Sequence, residues 1–110
     1  MSLQKVKKLK YEVQNRKKTI STFLENILAY TLYLELLENY YLKKDVYYHG
    51  LYIKVIHLSS RQTFQKFIDK CILEKYINTK ISKNDKRKII LSLSNEVVSD
   101  FENVLWSQLN

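Results

Sequence analysis

Residues 76–94 read YINTKISKNDKRKIILSLS. Ile77, Thr79 and Ile81 alternate with other residues, and Ile89, Leu91 and Leu93 do so again further on. A period of two is what a half-buried strand requires. Between them Ser82-Lys83-Asn84-Asp85-Lys86-Arg87 is polar throughout. The stretch is therefore expected to form two short strands joined by a charged turn that projects into solvent. Immediately upstream, Phe64, Phe67, Ile68 and Cys71 fall at i, i+3, i+4 and i+7. That spacing predicts a helix with one buried stripe. Arg61, Gln62, Gln65, Lys66 and Asp69 share its opposite face, and Ser59 or Ser60 is the natural N-cap.

Further upstream the pattern is harder to read. Residues 46–57, VYYHGLYIKVIH, are β-branched and aromatic, which favours strand. Tyr48, Leu51, Tyr52, Val55 and Ile56 nevertheless have helical spacing, and a helix is expected over 46–57 because it supplies a partner for the next one, with Asp45 as its cap. Thr22 and Glu25 have the form of a capping box that starts a helix running to about Leu42. Phe23, Leu24, Ile27, Leu28, Leu32, Leu36 and Leu37 are too many for one apolar face, so this is either one helix buried on several sides or two helices bent near Ala29–Thr31. Lys43 and Lys44 sit at its end, where cations suit the helix dipole. In residues 3–17, Leu3, Val6, Leu9 or Lys10, and Val13 give a basic helix a narrow apolar stripe that needs a partner. After the strands, Ser94 is placed to cap a last helix whose apolar side carries Val97, Val98, Phe101, Val104, Leu105, Trp106 and Leu109.

The 110 residues suffice for one domain. One Gly and no Pro disfavour an all-β sandwich, which needs many tight turns, and fit helix-rich structure better. The net charge of +8 is unevenly placed: residues 1–18 carry +6, residues 19–59 carry −1, residues 60–88 carry +6 and residues 89–110 carry −3. Two basic regions on a nearly neutral scaffold suit a polyanion, because neutralised phosphates release counterions. A single cysteine excludes an internal disulfide and fits a reducing, cytoplasmic setting. No apolar run is long enough to span a bilayer, and no apolar core follows the N-terminal charges, so neither a membrane span nor a signal peptide is expected.

An amphipathic helix followed by a basic hairpin is the DNA-reading half of a winged helix-turn-helix. The expected fold is therefore mostly α with a small β-hairpin, in a single domain. Residues 1–44 form the N-terminal helices, 45–75 the helix-turn-helix, 76–94 the wing and 95–110 the C-terminal helix. From Thr63 to Ser94 the register also resembles the MarR family of winged-helix regulators and its SarA-like branch. Cys71 stands at the helix Leu position, Tyr76-Ile77 at the apolar pair, Asp85-Lys86-Arg87 at Asp-x-Arg, and Leu93-Ser94 at Leu-Thr. Lys75 stands where that family has glycine, so the wing must start without one. The resemblance implies a homodimer built on the N- and C-terminal helices, with near-palindromic sites and Arg87 as the wing residue of the minor groove.

Groove geometry gives the remaining residues their expected roles. Arg61 suits guanine; Gln62 and Gln65 suit adenine; Ser60 and Thr63 suit phosphates or a thymine methyl. Lys66 and Lys70 on the helix, and Lys80, Lys83, Lys86 and Lys88 on the wing, suit phosphates. Asp85 is expected to orient Arg87 or meet a neighbouring base, since a carboxylate repels phosphate. The basic first helix either packs in the dimer with its lysines toward DNA or is a loosely held arm. Cys71 lies on a buried stripe with no second thiol, which points to a core residue. His49 and His57 do not make a metal site without carboxylates from elsewhere. The aromatic residues are expected in the core, though they would also suit an effector pocket. One Gly excludes a Gly-rich phosphate loop, and no nucleophile–base arrangement is visible. No enzyme and no cofactor are expected. The leading expectation is a sequence-specific regulator of double-stranded DNA, a repressor. The alternatives are a winged-helix module for an acidic protein partner, or a plasmid or phage replication-control protein.

Overall fold

The computed structural model describes residues 2–7, 10 and 18–106. Residues 3–7 are helical and exposed. From Lys18 onward the elements are α1 (Lys18–Phe23), α2 (Ile27–Leu42), β1 (Val46–Tyr47), α3 (Tyr48–Val55), α4 (Arg61–Leu73), β2 (Ile77–Ile81), β3 (Ile89–Leu93) and α5 (Asn95–Asp100). A π-helical turn, Phe101–Trp106, continues α5. The described chain is mostly helical, with one small antiparallel sheet in the order β1-β3-β2. Of the sequence expectations, Leu9, Val13 and Leu109 lie outside the described residues.

The core is aromatic where the helices meet. Phe23 stacks on Tyr33 with ring centres 4.7 Å apart, and Phe67 meets Phe23 edge-on at 5.8 Å. Phe64, Phe67, Ile68 and Cys71 are all buried, as their spacing requires. Leu51 and Val55 of α3 are buried too, while Tyr48 and Tyr52 hold Phe64 at 5.3 and 5.2 Å. Thr19 and Asp100 form a buried polar contact: the Thr19 hydroxyl donates to Asp100 Oδ2 at 2.6 Å and ties α1 to α5.

Several expectations upstream are corrected. Thr22 caps nothing; it is buried inside α1, because Phe23 must reach Tyr33 and Phe67. The helix break falls at residues 24–26, earlier than Ala29–Thr31. Asn26 is the true N-cap, its Oδ1 accepting from the Ala29 N–H at 2.9 Å. Ile27, expected to be buried, is exposed. Residues 46–57 are not one helix. Val46 and Tyr47 pair with Leu91 and Ile90, because β3 has a free edge and β-branched and aromatic residues suit it. Tyr47 then stands at the N-cap of α3 without a side-chain cap bond, so Asp45 does not serve as its cap. The helix ends at Val55, leaving Ile56 exposed.

The hairpin forms with Ile77 opposite Leu93 and Ile81 opposite Ile89. Its alternation is only partly a burial pattern. Ile77, Leu91 and Leu93 are buried, whereas Ile81 and Ile89, near the turn, are exposed. Ser82 does not project into solvent. It is buried; its N–H donates to the Lys88 carbonyl at 3.0 Å and its Oγ accepts from the Asn84 N–H at 3.3 Å. The C-terminal helix is regular only to Asp100, after which it widens into the π-helical turn.

The missing glycines are replaced by strained lysines. Lys43 and Lys75 have φ of 57° and 64°, the left-handed region. Both close Schellman motifs: Lys44 N–H donates to Asn39 O and Lys43 N–H to Tyr40 O, while Tyr76 N–H donates to Cys71 O and Lys75 N–H to Ile72 O. A left-handed non-glycine residue costs ~1–2 kcal/mol, partly offset by the chain entropy a glycine would lose. Lys75→Gly is expected to stabilise the fold by about 0.5–1 kcal/mol in urea unfolding; a lowered midpoint would count against the strain.

Burial pushes the Cys71 thiol up from 9.0 to about 12. Between those values the folded state keeps a proton that the unfolded chain loses, so stability present below pH 9 declines as pH rises toward 12. Cys71→Ala should flatten the first part of that decline in urea unfolding between pH 8 and about 10, before the tyrosines titrate. An unaltered slope would show that the thiol is not the group responsible.

Candidate nucleic-acid interface

α4 begins at a well-made cap. Ser60 Oγ accepts from the Thr63 N–H at 3.1 Å and donates to Thr63 Oγ1 at 3.0 Å. The two hydroxyls therefore hold each other as well as the helix end. The buried stripe fixes the rotation of α4, so Arg61, Gln62, Thr63, Gln65 and Lys66 are all exposed along its N-terminal half. The Arg61 guanidinium lies over the Tyr52 ring at 5.5 Å, an arrangement that orients a cation at small desolvation cost. Lys70 departs from this group. Its Nζ is 3.4 Å from Glu25 Oε2, in the connection between α1 and α2. That carboxylate competes with any phosphate for Lys70.

The turn of the hairpin presents Lys80, Lys83, Lys86, Arg87 and Lys88 to solvent. Asp85 organises it. Its Oδ1 accepts from the Arg87 N–H at 3.0 Å and from Arg87 Nε–H at 3.3 Å. These two bonds, the backbone one first, hold the Asp85 carboxyl below the usual carboxylate range. The Lys88 N–H donates to the Asp85 carbonyl at 2.9 Å and closes the turn. Arg87 itself is almost wholly solvent-exposed, its side chain 91% accessible, so its remaining donors are free to meet an anion. Asp85 therefore orients Arg87, as its position in the sequence suggested.

β1 and α3 together join the two basic elements. Lys88 Nζ lies over the Tyr47 ring at 5.1 Å, while Arg61 lies over Tyr52, so one cation from each rests on the same strand–helix segment. Tyr47, Tyr48, His49, Gly50, Arg87, Lys88 and Ile89 line a hollow of about 320 Å³ between the start of α3 and the hairpin. Sequence reasoning did not assign Tyr47, Tyr48 or Tyr52 to this surface. The signal was the aromatic run at 47–52, but it was legible only as core. Lys54 belongs elsewhere: its Nζ meets Glu35 Oε1 at 2.9 Å, binding α3 to α2.

Among the described residues no cluster of three or more His, Cys, Asp and Glu could hold a metal. No described helix is long and apolar enough to cross a membrane. Neither a family model, nor a curated protein, nor a solved structure matches the chain significantly.

The Ser60 cap gives a direct check on how firmly the interface is held. Ser60→Ala should cost about 1 kcal/mol of folding stability, with Ser60→Gly costing only a few tenths. Equal losses for the two substitutions in denaturant titrations would show that the cap bond does not support α4.

Proposed function

We propose that this chain is a winged helix-turn-helix protein that binds double-stranded DNA sequence-specifically as a homodimer and represses transcription. In this reading α3 and α4 are the helix-turn-helix, β2 and β3 the wing, and β1 the strand that closes the sheet behind them. The observation that carries it is the joint placement of two exposed basic elements on the continuous β1–α3 segment, with Arg61 over Tyr52 of α3 and Lys88 over Tyr47 of β1. A helix with exposed polar residues at its N-terminal half fits the major groove, where Arg61, Gln62 and Gln65 would meet base edges. The hairpin tip with Arg87 would follow the adjacent minor groove, whose narrow A·T tracts concentrate negative potential. Ser60, Thr63, Lys66, Lys80, Lys83, Lys86 and Lys88 would take phosphates, which set position and affinity rather than sequence. Lys70 contributes least, because Glu25 already holds it.

Two copies would present two recognition helices to half-sites roughly 34–36 Å apart. Gel shifts on duplex DNA from the protein's own upstream region should show preference over random duplex at moderate salt. No preference, together with a stoichiometric protein partner recovered by pull-down, would replace this reading with a protein-interaction module. Arg61→Ala should cost about 1–3 kcal/mol and relax specificity at one position. Lys83→Ala should weaken all duplexes alike and lower the salt slope by about one. Arg87→Ala should weaken binding on the order of ten-fold or more; an unchanged affinity would remove the wing from the interface.

A further inference from the structure

The outer face of α2 has no occupant among the described residues. Ile27, Tyr30, Leu34 and Tyr41 lie at i, i+3, i+7 and i+14, and their exposures are 68, 44, 45 and 49%. Exposed apolar residues aligned on one helix face in this way mark an interaction surface. Its C-terminal half is hollow: Leu34, Leu37, Glu38, Tyr41, Phe101 and Glu102 line a groove of about 540 Å³. The charge there has one sign. α2 contains no Lys or Arg, and Glu38 is exposed on the rim. The Tyr41 hydroxyl donates to Glu102 Oε2 at 3.0 Å, which fixes a second carboxylate beside it.

A second uncovered face carries the opposite charge. Residues 3–7 are helical and exposed, and Lys10 is helical and exposed as well. Leu3 and Val6 are 69 and 49% exposed, although they form the apolar side of this segment. Lys5, Lys7 and Lys10 accompany them.

We propose that the segment Leu3–Lys7 of a second copy of this chain seats in the α2 groove, and reciprocally, so that two chains exchange N-terminal arms. Leu3 and Val6, one helical turn apart, enter the groove beside Leu34, and the lysines meet Glu38 and Glu102. Direct pairing of α2 with α2 is disfavoured, because it would bring Glu38 to an apolar face with no cation on either helix. The inference rests on the homodimer of the preceding reading and assigns its surface.

Sedimentation of the full chain without DNA tests it separately from DNA binding. The wild type should be a dimer. Leu34→Glu and Val6→Asp, both at exposed positions, should each weaken self-association on the order of ten-fold or more. Glu38→Lys should weaken it, and adding Lys7→Glu should restore it. Mixing the Leu34→Glu and Val6→Asp chains should give a heterodimer, since one intact arm then meets one intact groove. A monomeric wild type overturns both the dimer and the arm exchange. A dimer indifferent to Leu34→Glu overturns the surface while leaving the dimer in place. A dimer sensitive to Leu34→Glu but indifferent to Val6→Asp, with no charge-swap rescue, means α2 pairing and overturns the arm. An arm that docks on its own chain would leave Val6→Asp without effect on mass and would also overturn the proposal.

Discussion

The pairing of Val46 and Tyr47 with Leu91 and Ile90 is the constraint on which the candidate interface depends. β3 is the middle strand and uses both edges, one for the hairpin and one for this short strand. Without the second pairing, α3 would be attached to the hairpin only through the core. With it, Tyr47 is fixed beside Lys88 and Tyr48 begins a helix that carries Tyr52 to Arg61. Two residues of strand therefore set the distance between two basic elements that are separate in sequence. The cost is a helix start with no side-chain cap at Tyr47, and the first residues of α3 line the hollow beside Arg87 and Lys88.

A second constraint is the scarcity of glycine. The chain must still leave α2 and α4 sharply, and it does so with Lys43 and Lys75 in left-handed conformation. At Lys75 the sharp turn delivers Tyr76 into the core and allows the Ser94 N–H to donate to the Tyr76 carbonyl at 2.9 Å. The end of α4, the start of β2 and the start of α5 are thereby tied within one short circuit. The strain at Lys75 lies next to that circuit and far from the hairpin tip, so the positions of Asp85 and Arg87 depend on their own local bonds.

Polar groups inside the fold are few and mostly matched. Thr19 and Asp100 bond directly, and Ser82 is satisfied within its turn. Tyr33 is the exception among the described residues, with a buried hydroxyl that has no hydrogen-bond partner and whose ionisation burial pushes well above the usual tyrosine range. Its ring is held between Phe23 and Phe101, so aromatic packing sets its position. Asp100 apart, the charged residues described lie at the surface, and their segregation, acidic along α2 and basic along α4 and the hairpin, follows the uneven charge of the sequence.

By itself the sequence determined α4, the two hairpin strands and the caps at Ser60 and Ser94. Each is specified by short-range period or by a side chain within four residues of its target, and each appears where the pattern placed it. The tertiary structure decided the rest. Val46 and Tyr47 became a strand because β3 offered an edge that no local pattern reveals. The first helix broke at residues 24–26 because Phe23 had to meet Tyr33 and Phe67, a demand made by distant rings on a residue that reads locally as helix start. Lys70 was taken by Glu25, and Ser82 was turned inward by the backbone of Lys88. Periodicity states which face of an element is apolar; which partner that face finds, and what polar groups the partner brings, exists only once the chain has closed.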